Sequence, residues 1–451
     1  MAQSQHSTLV ESSNAKPKAF IIVGSGVFGL STVLWLLARH PDGAIILVDH
    51  TEFSNPKAAS HDISKILRDD YPNMSYAPLA IEAMNHWRTD GLFKDFYHEV
   101  GVLRADPGSH NEKAQSTHRS LGHESGATWM APDKVRAAWP AFATTDFEGL
   151  DRVRYNPNCG WVDAADSLEA VRQHVVNAGA TLVVGEVTTL LFDTAGGCTG
   201  VRLGNGDELN GTVVLCTGAR TAALLAESAP ERKEIHAAHR LAATGAVSFT
   251  LKAEGDQKDK FRGIPVLKNT LPSVKGESMS MTPDGTLKFN CDMAFLYSQF
   301  HTPTGTTMSL APTDPHLTEW TTEEHIPRHL KNRAYKTLKG LYGDEMEGRT
   351  IDKYRICCVR PPRDTTTPEH DFLITPHSQC RHLFIATGGS FHGWKFFPVI
   401  GKYVVQMLYG ELEPQYAAIW GWDRKAGGQV ANATYSTEGD LGEWIREDEK
   451  Q

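Results

Sequence analysis

The spacing of apolar residues changes period several times along the chain, and each change marks a predicted element. Ala19, Phe20, Ile21, Ile22 and Val23 form a short run rich in β-branched residues. After Gly24-Ser25-Gly26-Val27-Phe28-Gly29, Leu30, Leu34 and Leu37 fall on one helical face. A second apolar strand, residues 44–48, follows and ends at Asp49. Residues 51–70 are polar and irregular, which predicts a loop. Residues 79–87 place Ala80, Met84 and Trp87 on one side of a helix. Asp163 is positioned to cap another helix, in which Leu168, Val171 and Val175 align and which Gly179 closes. A strand over 180–187 comes next, then short apolar runs at 190–192 and 200–203 with a hairpin turn at Gly204-Asn205-Gly206-Asp207, and a strand over 213–216 that leads into Thr217-Gly218-Ala219. From Ala237 to Phe300 the pattern is β-rich, with strands at 243–251 and 286–290 and a charged loop at 252–260. Thr321 and Glu324 read as a capping box for a helix striped by Ile326, Leu330, Ala334, Leu338 and Leu341. The last strand, 383–387, ends in Gly388-Gly389 and precedes a helix through Ile400, Val404, Met407 and Leu408.

The first three elements make a βαβ unit about 30 residues long, and its chemistry is specific. Gly24 permits the tight turn, Gly26 lets the backbone approach a diphosphate, and Gly29 allows helix and strand to pack closely. A diphosphate can then rest on the helix N-terminus. Asp49, 20 residues beyond Gly29, is placed to accept hydrogen bonds from an adenosine ribose. The unit predicts a dinucleotide site without separating FAD from NAD. The fold expected is α/β: a discontinuous Rossmann-like dinucleotide domain (18–100, 150–236 and 345–412) and an α+β substrate domain on an antiparallel sheet (101–149 and 237–344). A polar tail at 1–17 is expected to be disordered, and 413–451 form a C-terminal segment.

With 451 residues there is enough chain for two cores. A formal charge of −9 with no basic block argues against a nucleic-acid partner. No apolar run reaches membrane-spanning length, so no membrane partner is expected. Seven irregularly spaced cysteines suit a reducing compartment better than a disulfide framework. No group of residues suggests a metal.

From Ala19 to Leu412 the sequence resembles the flavin amine oxidases of the monomeric sarcosine oxidase and fungal amadoriase (fructosyl amino acid oxidase) family. Besides Gly24, Gly26, Gly29 and Asp49, the run Gly185-Glu186-Val187 is similar to the family strand whose valine backbone contacts adenine. Thr217-Gly218-Ala219 is similar to its second glycine turn. The combination points to FAD, with Val27, Phe28 and His61 in flavin-adjacent motifs. Arg355-Ile356-Cys357-Cys358 matches the segment whose cysteine joins the flavin ring through a thioether. Cys357 takes that place, with Cys358 the alternative. Gly388-Gly389-Ser390-Phe391-His392-Gly393-Trp394-Lys395 is similar to a segment whose glycines (Gly389 and Gly393 here) pack on the ring and whose lysine, Lys395, holds a substrate carboxylate. Phe391 stands there for a glycine and Trp394 for a phenylalanine. Lys65 matches a basic residue over the flavin that promotes reaction with O₂ by stabilising superoxide. Lys288 corresponds to an oxygen-activating lysine of the sarcosine oxidase branch, and Arg68 to a carboxylate-binding arginine.

The resemblance implies an FAD-dependent oxidase of a small-molecule amine, an N-alkyl amino acid or related secondary amine, giving an imine and hydrogen peroxide. Water hydrolyses the imine, or, in a biosynthetic member of fungal secondary metabolism, a nucleophile on the same molecule captures it and closes a ring. Two departures weigh against the alternative, deglycation of fructosyl amino acids. The family's acidic residue after its Leu-Lys motif falls near Met293, and the C-terminal tryptophan motif is altered to Trp420-Gly421-Trp422-Asp423-Arg424. From other classes, an NAD(P)-dependent dehydrogenase and a flavoprotein without turnover stay open. The chain ends without a peroxisomal tripeptide, and a cytoplasmic location is expected.

Overall fold

Six strands form the sheet on which the βαβ unit is built. In spatial order they are Leu373–Pro376, Leu383–Thr387, Thr212–Leu215, Phe20–Val23, Ile45–Asp49 and Thr181–Val184. All neighbours are parallel except the Leu373–Pro376 edge strand. Parallel strands buried on both faces should be continuously apolar, and Phe20–Val23 and Thr212–Leu215 are buried at every position. Helices Val27–Arg39 and Ile400–Leu408 cover one face, within a core shared with Leu47, Phe384 and Trp420. They pack closely because position 401 is glycine: a Cβ there would lie 1.9 Å from the Ser31 carbonyl oxygen. The meander Val187–Phe192, Cys198–Leu203 and Glu208–Asn210, with helix Thr221–Ser228, covers the other face. The structure, a computed structural model, describes residues 19–237, 240–359, 371–424 and 437–450. The stretch 1–17 lies outside them.

A second, ten-stranded sheet runs from Thr437–Asp440 through Ala294–Leu296, Thr244–Lys252, Thr286–Cys291, Gly276–Ser278, Val266–Asn269, Val102–Ala105 and Val153–Asn156 to Thr128–Met130. Lys353–Val359 joins it against Thr244–Lys252, which pairs Ala246 with Cys357. Apart from two parallel pairs, Val266–Asn269 with Val102–Ala105 and Ala294–Leu296 with Thr437–Asp440, the sheet is antiparallel, and helix Arg328–Tyr342 packs on it through Leu330, Ala334, Leu338 and Leu341.

Four local expectations need correction. The Arg328–Tyr342 helix starts at Pro327, beyond the Thr321/Glu324 box. Residues before a proline are pushed out of the helical region, and Ile326 is extended at φ −106° and ψ 128°; Glu324 instead accepts from Thr322 Oγ1 at 2.8 Å. The polar stretch 51–70 is not all loop, since Ser64–Leu67 pairs antiparallel with Gly160–Asp163. The strand over 180–187 breaks at Gly185, whose N–H donates to the Asp49 carbonyl at 2.8 Å, so Val187 begins the meander. Within 252–260 a short helix, Gln257–Phe261, forms. Among the described residues six cysteines are free, and no helix is long and apolar enough to cross a membrane.

Candidate active site

A single cavity of about 740 Å³ runs from the glycine turn to the face of the larger sheet. At its outer end lie Gly24, Gly26, Val27, Phe28, Asp49, Val187 and Gly218. Gly24 adopts φ +102°, a conformation that favours glycine. Gly29 is the reason the turn is tight: a Cβ there would fall 1.8 Å from the Gly24 carbonyl oxygen. Gly26 is the N-cap of the Val27–Arg39 helix, and a Cβ there would fall 2.8 Å from Ser60 Oγ, which accepts from the Val27 N–H at 3.1 Å. Asp49 is fixed by Ser25, whose N–H and Oγ both donate to Oδ2 at 2.6 Å, while Arg172 donates to Ser25 Oγ at 2.7 Å. Burial opposes its charge, but the hydrogen bonds from His50 and Ser25 outweigh that and hold its carboxyl at about 2. The end of the site is therefore an ionised acceptor beside a helix N-terminus, a donor and acceptor set that fits an adenosine diphosphate.

At the middle of the cavity, Lys65, Cys357, Gly389 and Gly393 come together from three parts of the chain. Phe28 reaches from the first helix to this point, stacking edge-on against Phe372 at 5.5 Å and lying 3.3 Å from where a Gly389 Cβ would be. Either glycine given a side chain would meet that ring. The Gly388–Lys395 segment turns through left-handed backbone at Gly388, Ser390 and Phe391, the last at φ +65°. For a bulky residue that conformation is strained by roughly 1–2 kcal/mol, the kind of cost found where a backbone is shaped for function.

Asp62 organises the charges here, although nothing in the sequence singles it out. It is fully buried, and its Oδ2 accepts from Lys65 Nζ and from Lys288 Nζ, each at 2.7 Å. Lys288 also donates to the Ser64 carbonyl at 2.7 Å. Burial would raise the Asp62 carboxyl, but Lys288, Lys65 and Arg355 outweigh it and hold it well below the carboxylate range. Burial lowers Lys288 to about 8, with Asp62 pulling the other way and Lys65 adding to the fall. For Lys65, burial is overcome by Asp62, and its ammonium is held above its ordinary value. Lys65 borders the cavity with a fifth of its side chain exposed, whereas Lys288 is 1% exposed and stands behind Asp62. The Cys357 thiol is near enough to interact electrostatically with both lysines. The side chain of Cys358 lies outside the described residues.

His61 does not border the cavity. Its Nδ1 is 3.1 Å from Ser54 Oγ, and its carbonyl accepts from Arg355, whose guanidinium also gathers the carbonyls of Pro56, Ala58 and Thr318. The arginine two residues before Cys357 thus ties the 56–61 loop to the larger sheet.

The inner end is polar. Lys395 Nζ donates to the His392 carbonyl at 3.0 Å and lies 5.5 Å from the centre of the Tyr71 ring, over which Arg68 is also placed at 4.7 Å. Beyond them a buried network, unforeseen from sequence, lines the wall: Lys268 donates to Glu277 at 2.8 Å and to Asp292, Asn290 Nδ2 donates to Glu277 at 2.7 Å, and Ser248 Oγ donates to Asn290 at 2.6 Å. Burial raises the Asp292 carboxyl. Lys268 and Glu277 occupy adjacent strands and gave no periodic signal, because both are charged residues on a buried face. Met293 is in the apolar core, and Arg424 donates to the carbonyls of Phe372 and Ile419.

The chain is 29% identical to amino acid oxidase fsqB of Aspergillus fumigatus, over 87% of this chain and 92% of that one. It is 23% identical to L-saccharopine oxidase of Schizosaccharomyces pombe, over 90% and 93%. Its fold is similar to that of a fructosyl peptide oxidase, with a TM-score of 0.79, 22% identity and coverage of 95% and 98%. It is also similar to the deglycating fructosamine oxidase Amadoriase II of Aspergillus fumigatus, with a TM-score of 0.74, 22% identity and coverage of 94% of each chain. The family described as FAD dependent oxidoreductase matches residues 19–407, which settles the cofactor as FAD in place of NAD(P). The glycine turn, the ionised Asp49 and the match across nearly the whole chain lead to one conclusion: this chain belongs to the FAD-dependent oxidoreductase family.

Proposed function

We propose that the protein oxidises the C–N bond of an N-alkyl amino acid or a related secondary amine, with O₂ as the acceptor. The observation that carries this reading is the grouping of Lys65, Arg68 and Lys395 around the cavity that also receives Cys357. The names of the relatives, an amino acid oxidase and an L-saccharopine oxidase, support a substrate of the amino acid class. FAD, when bound, supplies a two-electron acceptor for a hydride from the carbon beside the amine nitrogen and passes the electrons to O₂, which leaves an imine and H₂O₂.

The chain's own groups do the rest. Arg68 and Lys395 hold the substrate carboxylate, a charge-assisted contact strengthened by burial, and so fix which C–H is presented. The rings of Phe28, Phe391 and Trp394, which border the cavity with Tyr71 and Phe372 buried behind them, exclude water. Lys65, kept protonated by Asp62, stabilises the negative charge that develops on oxygen, with Lys288 in reserve behind it. Gly24, Gly26, Val27, Phe28, Asp49, Val187 and Gly218 would hold the dinucleotide, and Gly389, Gly393 and Lys395 the ring end. Gly29 and His61 act from behind, the one on the turn and the other on the 56–61 loop. Cys357 would carry the thioether link, from a strand whose backbone is fixed on Ala246.

Peroxide formation decides the reading. N-methyl amino acids, larger N-alkyl amino acids and a fructosyl amino acid are offered in parallel to the yellow purified protein. Turnover of the first two with little of the third is expected; preference for the fructosyl compound would replace the proposal by deglycation, and no peroxide from any amine would remove it. For Cys357, flavin should stay with the acid-precipitated protein and the intact mass should exceed the chain's by one FAD, and Cys357→Ala should lose both signs.

A further inference from the structure

Behind the Arg68–Asp70 wall of the cavity lies a cluster that amine oxidation does not use. Asp69, His118 and His123 each offer one ligand atom, and these atoms lie within 4.8 Å of one another. His118 lies in the last turn of the helix His110–Ser120, and a turn through Gly122 at φ +65° brings the His123 N–H back to the His118 carbonyl at 2.9 Å. The two imidazoles therefore stand edge to face, 4.9 Å apart. His123 Nε2 is 3.1 Å from Asp69 Oδ2. Two ligands of one tetrahedral zinc ion, with bonds of about 2.0–2.1 Å, are separated by roughly 3.3 Å.

The protonation of His118 gives the second observation. Its Nε2 is 2.9 Å from the Asp69 carbonyl oxygen, which can only accept, so Nε2 carries the proton and a neutral ring has its lone pair on Nδ1. Nδ1 is buried, in a residue 2% exposed, and has no hydrogen-bond partner. A buried acceptor left unmatched is costly, and a metal ion would satisfy it. The supporting contacts are those a metal ligand needs. The tautomer is set by a backbone carbonyl, and Asn156 Nδ2 orients the carboxylate by donating to Asp69 Oδ1 at 3.0 Å. A cation here also faces the negative end of the helix dipole. His123 is a quarter exposed and gives the ion a route from solvent.

We propose that Asp69, His118 and His123 form a binding site for a divalent transition metal of the zinc class. Because Asn156 also donates to Asp70 Oδ2 at 2.9 Å and Asp70 pairs with Arg154, an ion on Asp69 would brace the wall that carries Arg68. The site is independent of the amine reaction, and its test does not use turnover.

Tag-free holoenzyme, stripped with a chelator and dialysed, is titrated with Co²⁺ while absorption is followed to the red of the flavin bands. One equivalent per chain with intense d–d bands, displaced by Zn²⁺, is expected. His123→Ala, at a partly exposed position, should weaken binding at least about tenfold while leaving the flavin spectrum intact. His118→Gln, which removes the Nδ1 lone pair, should do the same. Absence of the bands together with less than stoichiometric zinc after dialysis would overturn the proposal, as would wild-type binding by His123→Ala.

Discussion

Two ammonium groups on one carboxylate make a centre whose net charge depends on pH. With Asp62 ionised and both lysines protonated it carries one positive charge, and Lys288, lowered to about 8, gives up its proton first. As pH rises through about 8 the centre falls from +1 to 0, so any contribution of that charge to O₂ reduction should fade over the same window. Asp62→Asn removes the one anion that favours both protonated lysines, and burial then acts on them unopposed. Reoxidation at pH 7 should slow by about tenfold or more, with the pH at which it fades moved downward, while the anaerobic reduction of the flavin by amine changes less. Stopped-flow mixing of the reduced enzyme with O₂ across pH 6 to 9 checks this. The variant should also lose roughly 3–5 kcal/mol of stability, the cost of breaking a buried ion pair on one side. Lys65→Met is the companion experiment: reoxidation should slow far more than reduction, and equal effects on the two would take Lys65 out of that role.

At the scale of elements, the glycine turn is where sequence and structure agree most closely, because steric exclusion leaves few alternatives. Gly29→Ala would drive a methyl group into the Gly24 carbonyl, 1.8 Å away, and can be accommodated only by opening the turn. Flavin content per chain should fall well below one, and thermal stability should fall by at least the 1–3 kcal/mol typical of overpacking. The absorbance ratio and a melting curve measure both. What the sequence could not show has an equally physical origin. The capping box at Thr321 and Glu324 satisfied a local rule, but Pro327 imposed an extended backbone on Ile326 and moved the helix start. Ser64–Leu67 is too short and alternates too little in hydrophobicity to read as a strand, since Lys65 and Ile66 both border the cavity and only Leu67 enters the main core. Asp62, Lys268 and Glu277 were invisible for a related reason. Charged residues normally mark surface, and only the fold, by burying several together, turns them into a network. The cofactor end of the site was therefore legible in spacing, whereas the substrate end is assembled from strands far apart in sequence.

Across the whole molecule, one histidine holds together segments distant in the chain. His377 follows the edge strand Leu373–Pro376, lies 4.1 Å from the Trp422 ring, and reaches the segment that leads into the larger sheet: its Nε2 donates to the Ile235 carbonyl at 3.0 Å. Its Nδ1 accepts from the Gln379 N–H at 3.2 Å. Both nitrogens are thus committed in the neutral ring, and a proton on Nδ1 would set two donors against each other. Burial pushes the imidazole down to about 4, from an ordinary value of 6.5. Between those two values the unfolded chain binds more protons than the folded one, so stability rises with pH across this window. It is complete above about 6.5 and is lost as pH falls towards 4. The difference corresponds to about 3 kcal/mol. Melting temperature should therefore drop between pH 6.5 and 4.5 more steeply than in His377→Gln, which can still donate to Ile235 but cannot take up the proton. The variant should be the less stable at pH 7.5, and the two curves should converge on acidification. Parallel curves would mean that this junction does not set the acid limit, and that the carboxylates around the lysines and Arg154 do.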